Sequence, residues 1–316
     1  MSENLLSRKF KKTNDLKESI PENPFPKRRI KSIQTSKLEI SPWNIKLQPI
    51  KKTHARLWNI IRCFSPQISK SLNRALRSVK NLRKIFISFG ISIRIPASNL
   101  KSLKNLARFS LLRFIKLNFS HCSASIDQDL IPFSKCLNRL KFLKTIDLSF
   151  YYCPQLTDNG LRILVEPFKK CLLLLEINLS SSHCYNLTNE GLIEIGKGIK
   201  RLKSLRNLAV KFSCSFQITD KGLEALAKSL KGLFNLRKLN LDLSSCDEVT
   251  GKGFSSLCES IDKLSCLQYL WLSVFPPFGR ITLECLKQID EIVRKRPWLT
   301  ITVNNNIRKV PKSLQL

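Results

Sequence analysis

A chain of 316 residues that is 43% hydrophobic carries enough apolar material for a long core. Lys and Arg total 55 against 23 acidic residues, and the resulting net charge of +32 favours polyanionic or acidic partners without specifying a fold. No apolar run approaches the roughly 18 residues that cross a bilayer, the N-terminal stretch lacks the hydrophobic core of a secretory signal, and the odd number of cysteines, 11, argues against a disulfide framework. An intracellular chain, cytoplasmic or nuclear, with reduced thiols is expected.

Residues 1–50 are polar and basic, are punctuated by Pro21, Pro24, Pro26, Pro42 and Pro49, and show no apolar period. Such a stretch cannot bury enough surface to offset its ordering entropy, so a disordered basic extension is predicted. Within it Lys27, Arg28, Arg29 and Lys31 form a compact cluster, either an import signal or solvated charge. From Lys52 to Phe64 a helical period places Leu57, Ile60, Ile61 and Phe64 on one face. Pro66 interrupts it, and Ile68, Leu72, Leu76, Val79 and Leu82 continue at helical steps. Residues 51–81 are therefore predicted as capping helices over the exposed end of a repeat array.

The array itself runs over 82–303. Leu143-x-x-Ile146-x-Leu148 returns as Leu174-x-x-Ile177-x-Leu179, Leu205-x-x-Leu208-x-Val210, Leu236-x-x-Leu239-x-Leu241 and Leu267-x-x-Leu270-x-Leu272, each shifted by 31 residues. It extends back to Leu112 and Leu82 and forward to Trp298. A fixed period of this size marks a solenoid. In each repeat alternating apolar residues form a short strand, a loop bearing Cys follows, and a helix opens on Thr157-Asp158-Asn159-Gly160, Thr188-Asn189-Glu190-Gly191, Thr219-Asp220-Lys221-Gly222 or Thr250-Gly251-Lys252-Gly253. Thr supplies an oxygen for the unpaired N–H groups of the first helical turn, and the recurring Gly permits close backbone packing. The predicted fold is an α/β solenoid of about seven to eight repeats of 31 residues, with a concave parallel sheet and convex helices. Residues 304–316 form a basic tail.

These blocks resemble leucine-rich repeats over about Ile68 to Val303, and are similar to the ribonuclease-inhibitor-like and cysteine-containing subclasses. The pattern departs from the cysteine-containing form: about two extra residues separate strand from loop cysteine, and Cys136, Cys171 and Cys258 lie out of register with one another. The resemblance implies a non-enzymatic scaffold that binds a protein on its concave face. It also implies, as other roles of the class, a ubiquitin-ligase substrate adaptor or a GTPase regulator. Residues 1–80 show no F-box-like segment, and no motif places a GTPase-activating arginine.

No cofactor, metal or catalytic set is predicted. Cys122, Cys153, Cys184 and Cys246 share one repeat position, with Ser215 in the missing place, and His121 and His183 precede two of them. A linear ladder with a rise of about 5 Å per coil does not converge on a tetrahedral metal, so these are read as small buried side chains. His54, His121 and His183 lie at no spacing that suggests an oriented general base, and no phosphate-binding glycine loop is present. Two basic columns stand out. Arg83, Arg113, Lys144, Arg206 and Arg237 follow the first Leu of their strands. Arg108, Arg139, Lys170, Arg201, Lys263 and Arg294 lie four residues before it, near helix C-termini, where cations are favoured. Together they border one end of the strands as a basic rim for an acidic protein, or, with the N-terminal tail, for nucleic acid or anionic lipid. On the concave face the candidates are Asp147, Asn178, Lys211, Asn240, Asp242, Tyr269 and Trp271, with Phe275 just beyond; the last three aromatics have the composition of an interface hot spot.

Overall fold

Alternation of apolar and polar side chains sets five residues of each full coil into a strand, and the same register repeats without slippage. The computed structural model describes residues 60–62, 76, 82–88, 102–122, 126–273, 283–296 and 298–304. Nine strands form one sheet in chain order: β1 (Ile60–Arg62), β2 (Lys84–Ser88), β3 (Phe114–Asn118), β4 (Thr145–Ser149), β5 (Glu176–Ser180), β6 (Asn207–Lys211), β7 (Lys238–Asp242), β8 (Tyr269–Ser273) and β9 (Thr300–Asn304). Every neighbouring pair is parallel, with Ile146 opposite Ile177 and Leu148 opposite Leu179. The leucine-rich-repeat architecture follows directly from this register.

Between strands the chain crosses one face of the sheet. A 3-10 helix (Ser102–Arg108) lies in the crossing from β2 to β3, and α1 (Ile131–Leu137), α2 (Asp158–Val165), α3 (Asn189–Ile199), α4 (Asp220–Leu230), α5 (Gly251–Asp262) and α6 (Leu283–Lys295) lie in the later ones. Strand residues such as Ile146, Leu148, Leu208 and Leu239 meet helix residues such as Leu164, Ile195, Leu226 and Leu257 in one continuous buried core. Burying each such side chain contributes about 1.5–3 kcal/mol, and no coil encloses its own core.

One expectation is corrected at the N-terminal end. Ile60, Ile61 and Arg62 form a strand, not part of a capping helix, and pair with Phe86, Ile87 and Ser88. The sheet therefore begins one coil earlier, at a shorter separation than the later repeats. The apolar pair Ile60-Ile61 fits a helical face equally well on spacing alone, but both residues are β-branched, and an open sheet edge offers backbone partners that an isolated helix does not. Leu76 is helical and buried, as expected. The basic extension, the import cluster and the basic tail lie outside the described residues.

The helix starts explain the Thr-Asp-x-Gly signature. The Asp158 carboxylate accepts from the Thr188 N–H at 2.9 Å and its hydroxyl at 2.7 Å, and Thr188 Oγ1 in turn accepts from the Glu190 N–H as the helix N-cap. The same relay joins Asp127 to Thr157, Asn189 to Thr219 and Asp220 to Thr250. Each accepting Asp or Asn of this relay sits in or beside the first turn of its own coil's helix, where Asp is also favoured by the helix dipole. The Gly is required by this relay: a Cβ at Gly222 would lie 2.6 Å from Asn189 Oδ1, and one at Gly253 2.5 Å from Asp220 Oδ1 and 3.0 Å from its Cα.

Where the strands end, the backbone turns through the left-handed region at His121, Tyr152, His183, Cys214 and Ser245, with φ between 56° and 64° and no glycine among them. Such a conformation costs a non-glycine residue about 1–3 kcal/mol. An inter-coil bond offsets it: the N–H groups of His121, Tyr152, His183 and Cys214 donate to the carbonyls of Tyr151, Ser182, Ser213 and Ser244 at 2.8–2.9 Å. Beneath this turn the thiols of Cys153, Cys184 and Cys246 donate to the carbonyls of Phe119, Phe150 and Phe212 at 3.0, 3.0 and 3.3 Å. Burial pushes Cys184 and Cys246 up to about 12, so they stay protonated near neutral pH and pack as small apolar groups. Ser215, which takes the missing cysteine's place, leaves its buried hydroxyl without a partner.

Two stability outcomes follow. Gly222→Ala lowers unfolding free energy by about 1–3 kcal/mol through the clash with the relay, whereas alanine at exposed Lys221 in the same helix changes it by less than about 0.5 kcal/mol. Ser215→Cys raises it by about 1 kcal/mol by replacing an unpaired hydroxyl with a thiol that reaches the Ser181 carbonyl. Denaturant titration measures both, and an unchanged midpoint for Gly222→Ala rejects the account of the motif.

Candidate functional site

The face of the sheet opposite the helices carries three rows of side chains. Strand pairing sets Phe86, Lys116, Asp147, Asn178, Ala209, Asn240 and Trp271 side by side as the middle row. Most of these residues are half-buried by their neighbours. At one end Lys116 pairs with Asp147 at 2.8 Å while its ammonium lies 5.8 Å from the Phe86 ring centre. At the other, Lys211 stands 5.9 Å from the Trp271 ring centre, so two candidates from strands two apart are brought together. Such cation-aromatic contacts are worth about 0.5–1 kcal/mol at exposed sites. Asp242 accepts from the Ser244 hydroxyl and N–H at 2.8 and 3.2 Å, which commits much of its carboxylate to the turn. Tyr269 is half-buried in the adjacent row, and Phe275 lies outside the described residues.

Asn178 and Asn240 differ from the other candidates. Their Oδ1 atoms are buried and accept no hydrogen bond, on either side of Ala209. Glu176, beside this row, has its carboxyl pushed above the usual range by burial and then by the nearby Asp147 charge. The face is therefore mostly self-paired, with a few groups held at an energetic disadvantage.

The basic rim is continuous in the backbone as well as in the sequence. The Arg113 N–H donates to the Arg83 carbonyl, Lys144 to Arg113, Leu175 to Lys144, Arg206 to Leu175 and Arg237 to Arg206, at 2.7–2.8 Å. Arg83, Arg113, Lys144, Arg206 and Arg237 are all exposed, and none forms an ion pair among the described residues. Lys27, Arg28, Arg29 and Lys31 lie outside those residues.

The opposite edge, where strands end, carries a feature that sequence reasoning missed. The rings of His121, Tyr151, Tyr152, His183, Tyr185 and Phe216 form one strip with neighbouring centres 5.1–6.4 Å apart, closing with Tyr185 stacked on Phe216. Tyr152 remains 47% exposed and Phe216 51%. The two imidazoles pack on the tyrosines of the coil between them, and burial holds His183 below its ordinary value, so it is neutral near neutral pH. Among the described residues no group of three His, Cys, Asp or Glu side chains converges on a metal position. The strip draws on several repeat positions, so column-by-column reading passes over it. The recurrence of aromatic or imidazole residues around Cys122, Cys153, Cys184 and Ser215 was the available signal.

No known family matches the chain, and no curated protein matches it. Among solved structures it is similar to one described as leiomodin-1 actin-binding site 2, with a TM-score of 0.38 and 18% identity over 52% of this chain and 86% of that one. It is also similar to the tropomodulin C-terminal domain of Caenorhabditis elegans, with a TM-score of 0.35 and 8% identity over 62% of this chain and 92% of that one. Superpositions this loose transfer no partner. Among the described residues no helix is long and apolar enough to cross a membrane.

Because Glu176 has a raised carboxyl pKa in the folded chain, its contribution is fully present below the unfolded carboxylate value and is lost as pH rises through the folded one. Glu176→Gln is therefore more stable than the unsubstituted chain near neutral pH, with the difference closing toward about pH 4. Thermal melts across that range measure it; a variant less stable at every pH contradicts the assigned cause.

Proposed function

We propose that the chain is a non-enzymatic scaffold that holds a protein partner on the open face of its sheet and the aromatic strip beside it. The observation that carries this reading is the strip. Its rings are large, partly exposed and held by a hydrogen-bonded backbone ladder, so they lose little freedom when covered. Tyrosines of this kind are enriched among the residues that dominate interface energies. Tyr269 and Trp271 extend the aromatic surface onto the face itself, and the net charge of +32 favours a partner of acidic character.

The buried, protonated thiols support residence in a reducing intracellular compartment. The loop-cysteine column supports assignment of the repeats to the cysteine-containing or ribonuclease-inhibitor-like kinds of leucine-rich repeat. The raised Glu176 and the unpaired Asn178 and Asn240 oxygens are groups that a partner's N–H donors would relieve.

Affinity capture with the full chain tests the site. Tyr152→Ser with Tyr185→Ser, and separately Tyr269→Ala with Trp271→Ala, each weaken the captured partner at least about tenfold, in line with hot-spot truncations. Circular dichroism and melting temperature stay unchanged. Full capture by both variants discards the proposed surface.

A further inference from the structure

Each coil enters its strand through a tight turn at the leading edge, closed by a bond from the first strand-side Leu back to the residue three before it. Examples are Leu112 to Phe109, Leu143 to Leu140, Leu174 to Cys171, Leu236 to Leu233 and Leu299 to Arg296, at 2.9–3.2 Å. The ends of these turns are buried, and the two residues between form the tip. Those tips should be polar, as loops at a water-facing edge usually are. Instead they present Leu111, Phe142, Leu172 with Leu173, Phe234 and Trp298, with Phe142 49%, Leu172 55% and Trp298 61% exposed. Two coils are exceptions: one carries Lys203 and Ser204 at its tip, with Lys203 reaching over the Phe234 ring at 5.3 Å, and the other carries Ser265 and the exposed Cys266.

Cations flank the tips at Leu111, Phe142 and Phe234 on both sides and precede those at Leu172 and Trp298. Arg139 precedes Phe142 and Lys144 follows it, Lys170 precedes Leu172, and Arg237 follows Phe234. No aspartate or glutamate occurs in the turns 108–113, 138–144, 170–175, 200–206, 231–237, 263–268 or 294–299. Helix carboxylates engage some neighbouring cations, as Glu259 does Lys231 at 3.7 Å and Asp262 does Arg296 at 3.4 Å, but Arg113, Arg139, Lys144, Arg206 and Arg237 form no ion pair among the described residues.

We propose that this leading edge is a membrane-contact surface that lies against anionic lipid, its turn tips entering the headgroup layer. Successive coils rise by about 4.8 Å, so the tips from Leu111 to Trp298 form a row about 29 Å long, matched to a surface and not to a pocket. Cations at such a row meet lipid phosphates, while Leu, Phe and Trp find hydrocarbon and the interfacial layer that favours Trp. Nucleic acid answers the charge equally well but not the tips: Leu111, Leu172 and Leu173 have no aromatic face on which a base could stack. With the leading edge on lipid, the open face and the aromatic strip at the far edge remain free for a protein partner.

Sedimentation of the full chain with lipid vesicles tests this. The unsubstituted chain binds phosphatidylcholine vesicles containing phosphatidylserine and does not bind pure phosphatidylcholine. The Phe142→Ser, Leu172→Ser, Leu173→Ser variant binds the anionic vesicles at least tenfold more weakly, with unchanged melting temperature and unchanged affinity for a single-stranded oligonucleotide. As a second readout, the tryptophan emission of the unsubstituted chain shifts to the blue on anionic vesicles through Trp298, and Phe142→Trp enlarges that shift. Vesicle binding equal in the triple variant and the unsubstituted chain overturns the proposal, since the charge alone then suffices, as does no vesicle binding at all. Oligonucleotide binding that falls together with vesicle binding also overturns it and makes the edge a nucleic-acid surface. Tyr152→Ser with Tyr185→Ser leaves vesicle binding intact, so this result and the fate of the partner surface are read separately.

Discussion

Each coil of the chain caps the helix of the next. The side chain of Asp127, Asp158, Asn189 or Asp220 holds the threonine that starts the following helix, and that threonine holds the helix's first free N–H. In every pair the Asp or Asn belongs to the earlier coil and the threonine to the later one, and the contact works only when the later coil arrives at the same height and rotation. A constant repeat length is therefore a bonding requirement at the helix starts, and the strand register and the buried core inherit it. Asn189 shows that geometry matters more than charge: its amide oxygen takes the Thr219 N–H while its amide nitrogen donates to the Thr219 hydroxyl at 3.1 Å, reversing one bond without disturbing the cap.

Once every coil advances alike, residues one period apart become neighbours, and single columns of the sequence become lines on the surface. Two edges then acquire different chemistry. At the leading edge the columns of cations and the apolar turn tips alternate. At the trailing edge the rings gather over a backbone turn that is itself conformationally unfavourable and is held by bonds to the next coil. The open face between them is largely self-paired, so its contribution to recognition lies in a few uneasy groups such as Glu176 and Asn178 more than in its charge as a whole.

Features that depend on one column alone were legible in the sequence. The strands, the helix starts, the cysteine ladder and the basic rim repeat at one spacing and sit where that spacing put them, except in the last coil, where Trp298 takes the expected Leu position but is exposed and Leu299 is buried in its stead. Features that depend on how different columns meet were not. The aromatic strip takes Tyr151, Tyr152, Tyr185 and Phe216 from three positions of the repeat, and only the folded turn brings them together. The left-handed backbone at His121, Tyr152, His183, Cys214 and Ser245 carries no glycine to announce it. The strand at Ile60–Arg62 was hidden for the opposite reason: it lies off the period, and apolar spacing over so short a stretch serves a helix as well as a strand.

The one-way cap also bears on how such a molecule changes length over generations. Removing or copying one whole coil leaves an acidic or amide side chain facing a threonine across the new junction, so the splice closes with the bond it had before. A cut that misses the period by a single residue turns that side chain away and also swings the adjoining strand's apolar residues toward solvent. Genetic shuffling is thereby channelled into whole-repeat gains and losses, and the number of coils becomes the easiest property of the protein for descent to alter.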